Sequence, residues 1–60
     1  MKFRMFTDLA SGRKIAVNID SVDKIVEVRD GCEIWIGFDS YVTVAENYDV
    51  VFSRLNTIAE

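Results

Sequence analysis

The sequence predicts a mainly β domain with one helix: an antiparallel meander of about five short strands followed by a C-terminal amphipathic helix. Apolar and polar residues alternate in short runs up to residue 44, which is the periodicity of half-buried strands. Turn-forming residues separate these runs at regular intervals. After residue 44 the apolar period changes to that of a helix. One small domain, residues 1–60, accounts for all of these elements.

The first predicted hairpin joins the strands Lys2 to Leu9 and Lys14 to Ile19 through a turn at residues 10–13. Because side chains alternate across a strand, each strand has one face toward the core and one toward solvent. The residues expected to face the core are Phe3, Met5, Leu9, Ile15, Val17 and Ile19. The residues expected to face outward are Arg4, Phe6, Asp8, Lys14, Ala16 and Asn18.

A tight helical turn at residues 20–23 is expected to lead into a third strand, from about Lys24 to Arg29. Asp30-Gly31 follows, and an Asp-Gly pair between two strands favours a type I′ turn with positive φ angles. The fourth strand, Cys32 to Gly37, has the clearest alternation. Its residues expected in the core are Cys32, Ile34 and Ile36, and those expected on the opposite face are Glu33 and Trp35.

Residues 37–40 form the next predicted turn, and Tyr41 to Val44 form a fifth strand with Val42 and Val44 inward. In the helix that follows, Asn47 is the expected N-cap and Asp49 lies near the positive end of the helix dipole. The expected core stripe of the helix is Tyr48, Val51, Phe52, Leu55, Ile58 and Ala59. Its expected solvent side contains Arg54, Asn56 and Glu60.

Three aromatic residues are expected on the outward face of the strands. They are Phe6, Trp35 and Tyr41, accompanied by Ala16 and Thr43. Contiguous exposed aromatics usually mark an interface. Three interpretations stay open: the rings cover one end of a sheet that curls toward a barrel, they form a homo-oligomer interface, or they bind a foreign ligand. With nearby cations included, the candidate binding residues are Arg4, Phe6, Arg13, Lys14, Trp35 and Tyr41.

The composition offers little for catalysis, since the chain contains no histidine and a single cysteine, Cys32. No serine has a histidine base, and no nucleophile-elbow or Walker pattern occurs, so we expect no enzymatic activity, catalytic residue or cofactor. One thiol cannot form a disulfide within the chain, and the lack of histidine argues against a zinc site. The place of Cys32 in an apolar alternation indicates a buried small side chain.

The charge pattern argues against nucleic-acid and membrane partners. Ten acidic and seven basic residues give a net charge of −3 and a pI of about 4.7, so direct nucleic-acid binding is not expected. Residues 1–6 alternate charged and apolar side chains, unlike a signal peptide or a membrane anchor, and we expect a cytoplasmic protein. Because so short a chain buries a small core, we expect a homo-oligomer.

Several segments carry a resemblance to a known family. They are Leu9–Asp20 with its glycine turn, Ile25, Ile34–Ile36 and Val42–Asn47 before the terminal helix. From Leu9 onward, the chain resembles the FlbD-like family of small flagellar and swarming-motility proteins, although Asn47 stands where that family favours serine. The resemblance implies a strand meander closed by a short helix. Similar short proteins also look common in phage genomes.

Two classes of function follow from these expectations. The first is a non-catalytic homo-oligomeric binding or adaptor module that contacts a protein partner. The second is a small inhibitor from a phage or other mobile element, which blocks a host complex or sequesters a nucleotide signal between subunits. A nucleotide site needs cations such as Arg4, Arg13 and Lys14 beside Phe6 or Trp35 in a subunit groove.

Overall fold

The computed structural model describes residues 2–56 and confirms a mainly β chain with one C-terminal helix. Its strands are β1 (Phe3–Thr7), β2 (Lys14–Asn18), β3 (Val22–Val28), β4 (Gly31–Ile36) and β5 (Tyr41–Val44), and its helix is α1 (Tyr48–Asn56). The tight helical turn predicted at residues 20–23 is a short 3-10 helix, Ile19–Ser21, which joins β2 to β3 slightly earlier in the chain. The five strands and the helix therefore follow one another as predicted, and the first and last residues of the strands differ slightly from the predicted ones.

The five antiparallel strands form two sheets, β1-β2 and β3-β4-β5. A bridge between Asp8 and Val44 links them. On either side of this bridge the Leu9 amide donates to the Thr43 carbonyl at 2.9 Å, and the Ala45 amide donates to the Thr7 carbonyl at 2.8 Å. The meander thus closes on itself, because the end of β1 lies beside β5.

The core face of β1 is opposite to the one predicted from the sequence. Phe6, expected outside, is only 1% exposed, whereas Phe3 and Met5, expected inside, are 47% and 53% exposed. Phe6 shares a strand face with Asp8, and the bridge from Asp8 to β5 places that face on the same side as the fully buried Val44. Both faces of β1 carry apolar residues, so alternation located the strand without identifying its inner side.

The core combines side chains from both sheets and the helix. Its buried members are Phe6, Val17, Cys32, Ile34, Val44 and Val51. Helix α1 packs against β3 and β4, with Val51 fully buried. Phe52 was predicted in this stripe but is 53% exposed and stacks on Tyr48, with ring centroids 6.1 Å apart. The helix is short, so a narrow stripe suffices to cover the core; the predicted positions 58–60 lie outside the described residues.

Local capping and turn chemistry explain where the elements begin and end. Asn47 caps α1 as predicted, since its Oδ1 accepts from the Val50 amide at 3.0 Å. The type I′ turn predicted at Asp30-Gly31 is wrong, because no non-glycine residue in 2–56 has positive φ and Gly31 already pairs with Val28 in the ladder. Gly31 is required for another reason: a Cβ there would collide with the Val44 carbonyl of β5.

Candidate functional site

Trp35 lies in a row of three side chains across the outer face of the three-stranded sheet, which we call the aromatic row: Lys24, Trp35 and Tyr41. The Trp35 and Tyr41 rings stack with centroids 4.6 Å apart and planes 27° apart. The Lys24 ammonium lies 4.9 Å from the centroid of the Trp35 ring. Because β3 and β5 flank β4, these neighbours approach the indole from opposite sides and leave it only half-exposed.

The aromatic row is held by contacts at the indole and is exposed at both ends, Lys24 and Tyr41. Trp35 Nε1 donates to Glu33 Oε1 at 3.1 Å, which fixes the orientation of the indole. Tyr41 is 50% exposed at the outer end of the row. The structure therefore brings Trp35 and Tyr41 together as the sequence suggested, but it places Phe6 in the core, away from them.

The surface beside Phe6 contains a different feature, which we call the Glu46 cavity. This cavity has a volume of about 240 Å³ and is lined by Met5, Phe6, Thr7, Lys14, Glu46 and Arg54. Glu46 follows β5 and Arg54 belongs to α1, so the cavity lies where the helix and its entry loop meet the outer edge of β1. Lys14 approaches from β2, opposite Thr7 in the ladder.

The Glu46 carboxylate substitutes for a neighbouring strand at the edge of β1. Its Oε1 accepts from the Thr7 amide at 3.0 Å, and its Oε2 accepts from the Thr7 hydroxyl at 3.1 Å and from Arg54 Nη1 at 3.5 Å. Burial by itself would raise the pKa of Glu46, but the Thr7 hydrogen bonds, its own backbone amide and the Arg54 charge together hold that pKa below its ordinary value. Glu46 is therefore ionised at neutral pH.

Arg54 completes this edge from the helix. Its Nη1 donates to the Met5 carbonyl at 2.7 Å, and its guanidinium carbon lies 5.5 Å from the centroid of the Phe6 ring. The sequence placed Arg54 on the solvent side of the helix, and its side chain is 43% exposed, although its guanidinium also reaches back to the Met5 carbonyl and the Phe6 ring. Its spacing of three residues from Val51 was the available signal, because positions three apart lie on neighbouring parts of a helix surface.

The predicted cations do not gather around Trp35. Arg4 donates from Nε to the Arg54 carbonyl at 3.2 Å and from Nη1 to the Phe3 carbonyl at 3.1 Å, so it stabilises the last turn of the helix. Arg13 lies in the exposed β1–β2 turn. Lys14 lines the Glu46 cavity together with Phe6. The cation beside Trp35 is Lys24, which sequence reasoning did not select.

Cys32 is fully buried, as the sequence predicted. Burial raises the pKa of its thiol, the Val26 backbone opposes that effect, and Glu33 and Glu27 raise the pKa further. The thiol is therefore protonated at neutral pH and poorly placed for nucleophilic attack. Residues 2–56 bring together no group of three or more histidine, cysteine, aspartate or glutamate side chains able to hold a metal ion.

Within the described part of the chain, exposed large apolar side chains outnumber buried hydrophobic side chains. Six hydrophobic residues are buried, whereas eight large ones are exposed: Phe3, Met5, Leu9, Val26, Phe38, Tyr41, Val50 and Phe52. Phe3, Met5 and Leu9 alternate along β1 and its continuation, and we call them the β1 outer face. Phe38 is 92% exposed at the tip of the β4–β5 hairpin. These side chains form the most conspicuous candidate contact surfaces.

Within residues 2–56 there is no helix with the length and apolar character needed to cross a membrane. Comparison with protein-family models, with curated proteins and with solved structures gives no match for this chain.

Proposed function

We propose that this protein is a non-catalytic binding module that self-associates through the β1 outer face. The observation that carries the proposal is the reversed β1, in which Phe3, Met5 and Leu9 point outward while Phe6 fills the core. A strand with apolar residues on both faces is typical of a strand that is covered on both sides. The core of one chain covers only one of them.

A second copy of the chain is the occupant that the charges favour. The protein has a net charge of −3, so two copies carry a net electrostatic repulsion. The outward positions of the β1-β2 sheet are an exception, because they contain no carboxylate: Phe3, Met5, Thr7, Lys14, Ala16 and Asn18. Lys14 is the one charged side chain among these six, so the apolar part of the face, with Phe3, Met5 and Ala16, can pair with itself about a two-fold axis without bringing carboxylates together.

Self-association through this face leaves a second surface for a protein partner. Phe38 lies on the β4–β5 hairpin, whose tip is closed by a hydrogen bond from the Ile36 amide to the Ser40 carbonyl at 2.8 Å. An exposed aromatic on a closed turn loses little conformational freedom on binding, which is why such residues often anchor interfaces. Tyr41, three residues further along the same hairpin, is also exposed. A module with these two faces can act as an adaptor.

Three exposed phenylalanines provide a matched test of the self-association surface. Phe3, Phe38 and Phe52 lie on β1, on the β4–β5 hairpin and on α1. Each is replaced by lysine, and the oligomeric state is measured by sedimentation velocity over a range of concentrations. We expect the wild type to be oligomeric and Phe3→Lys to weaken association by at least about tenfold, because a lysine would be buried at the interface centre.

The Phe38→Lys and Phe52→Lys proteins are the controls and should associate as the wild type does. Circular dichroism checks that all three variants are folded. A wild-type protein that is monomeric at every concentration contradicts the proposal. So does dissociation caused by Phe38→Lys or Phe52→Lys while the folded Phe3→Lys protein stays associated.

A further inference from the structure

We propose that the Glu46 cavity binds the carboxylate group of a small organic monoanion between Lys14 and Arg54. This site is separate from the hairpin surface and is formed by residues of one chain, but it shares Met5, Thr7 and Lys14 with the outward face of the β1-β2 sheet. Its volume of about 240 Å³ lies below the roughly 300–1,000 Å³ of pockets for drug-sized ligands. The cavity therefore suits a ligand of few heavy atoms.

The cavity presents hydrogen-bond donors that the protein itself does not use. Both side-chain hydrogen bonds of Arg54 within residues 2–56 are made by Nη1, which leaves the Nε and Nη2 donors for another acceptor. The Lys14 ammonium forms no ion pair or hydrogen bond with a described residue. A guanidinium fork beside an unpaired ammonium matches the two oxygens of a carboxylate.

Arg54 is held in position before any ligand arrives. The Met5 carbonyl, the Glu46 carboxylate and the Phe6 ring all contact its guanidinium. Little side-chain freedom is left to lose on binding, so the remaining donors act from a fixed geometry. The Met5 side chain supplies an apolar wall for the hydrocarbon part of the ligand.

The charge balance favours a monoanion over a dianion. Lys14 and Arg54 contribute two positive charges and Glu46 one negative charge, so the cavity has a surplus of one positive charge. The Glu46 charge is already engaged by Thr7 and Arg54. A carboxylate neutralises the surplus, whereas a phosphate dianion leaves excess negative charge next to Glu46.

Titration of the 15N-labelled protein with butyrate, followed by heteronuclear NMR, tests this site. We expect saturable shifts at Thr7, Lys14 and the Arg54 side-chain Nε–H, and no saturable shifts with the neutral isostere butyramide. Inorganic phosphate should bind more weakly than butyrate. The same titration of Phe3→Lys, which leaves the cavity residues intact, separates this site from self-association: binding by either protein supports the site.

Two lysine variants locate the binding. Lys14→Gln should weaken butyrate binding about fivefold, the size expected for losing one partly exposed charge pair. Lys24→Gln removes an equivalent charge from the aromatic row and should leave binding unchanged. The proposal is overturned if neither wild type nor Phe3→Lys shows saturable shifts, if butyramide binds as well as butyrate, or if the Lys14→Gln and Lys24→Gln effects are equal.

Discussion

Replacing Phe6 by alanine tests the reversed orientation of β1 directly, with Phe3→Ala as the matched control on the same strand. Phe6 is buried among Val17, Ile34 and Val44, whereas Phe3 is half-exposed on the opposite face. The two substitutions remove the same atoms from positions three residues apart. Their different costs therefore report which face of β1 is inside.

The expected costs follow from burial. Truncating a fully buried phenylalanine to alanine removes about 3–5 kcal/mol from the free energy of unfolding, because the transfer energy is lost and a cavity is left. A half-exposed phenylalanine leaves no closed cavity, so Phe3→Ala should cost about 1 kcal/mol or less. A domain of this length has a total stability of only about 3–9 kcal/mol, so Phe6→Ala consumes a third of it or more.

Urea unfolding followed by circular dichroism measures both costs, at one low protein concentration so that association contributes equally. If the free energy of unfolding falls by ~1 kcal/mol per molar urea, the unfolding midpoints of the two variants should differ by about 2–4 M urea. If Phe6→Ala does not fold, the milder pair Phe6→Leu and Phe3→Leu gives the same comparison. A Phe3 variant that is destabilised as much as its Phe6 counterpart would refute the orientation described above.

Three further predictions concern single side chains. Glu46→Gln should cost about 1–2 kcal/mol at pH 7, because a charged acceptor with three donors becomes neutral. The folded-state pKa of Glu46 lies below its ordinary value, so its ionised carboxylate contributes fully to stability above the ordinary pKa. This contribution is lost as pH falls through the folded-state pKa. The difference in the free energy of unfolding between Glu46→Gln and wild type should therefore shrink at acid pH. The Cys32 thiol should react with Ellman's reagent at neutral pH only as fast as the protein opens, and at once in denaturant; rapid labelling of the native protein contradicts its burial. Gly31→Ala should cost about 3 kcal/mol by collision with the Val44 carbonyl, against about 1 kcal/mol for Gly12→Ala, whose φ of +75° is strained but whose surroundings are open; equal losses in urea unfolding would contradict the close approach of β4 and β5.

The candidate contact surfaces were only partly predictable. Trp35 and Tyr41 were correctly grouped, because alternation in β4 and β5 places both on the outward face and the strands are neighbours in the chain. The sequence did not predict the Glu46 cavity. Its hydrogen bond from Thr7 to Glu46 spans 39 positions of the chain, and the one from Arg54 to Met5 spans 49 positions. No local sequence pattern identifies partners at such separations.

The sequence by itself determined the elements of this protein. Alternation set the strands, glycines at 12 and 37 set two turns, and the Asn47 cap set the start of the helix, because each depends on residues close together in the chain. Only the tertiary structure decided which face of β1 is inside. Both faces of that strand are apolar, so the choice depended on the long-range bridge between Asp8 and Val44 that closes the meander over Phe6.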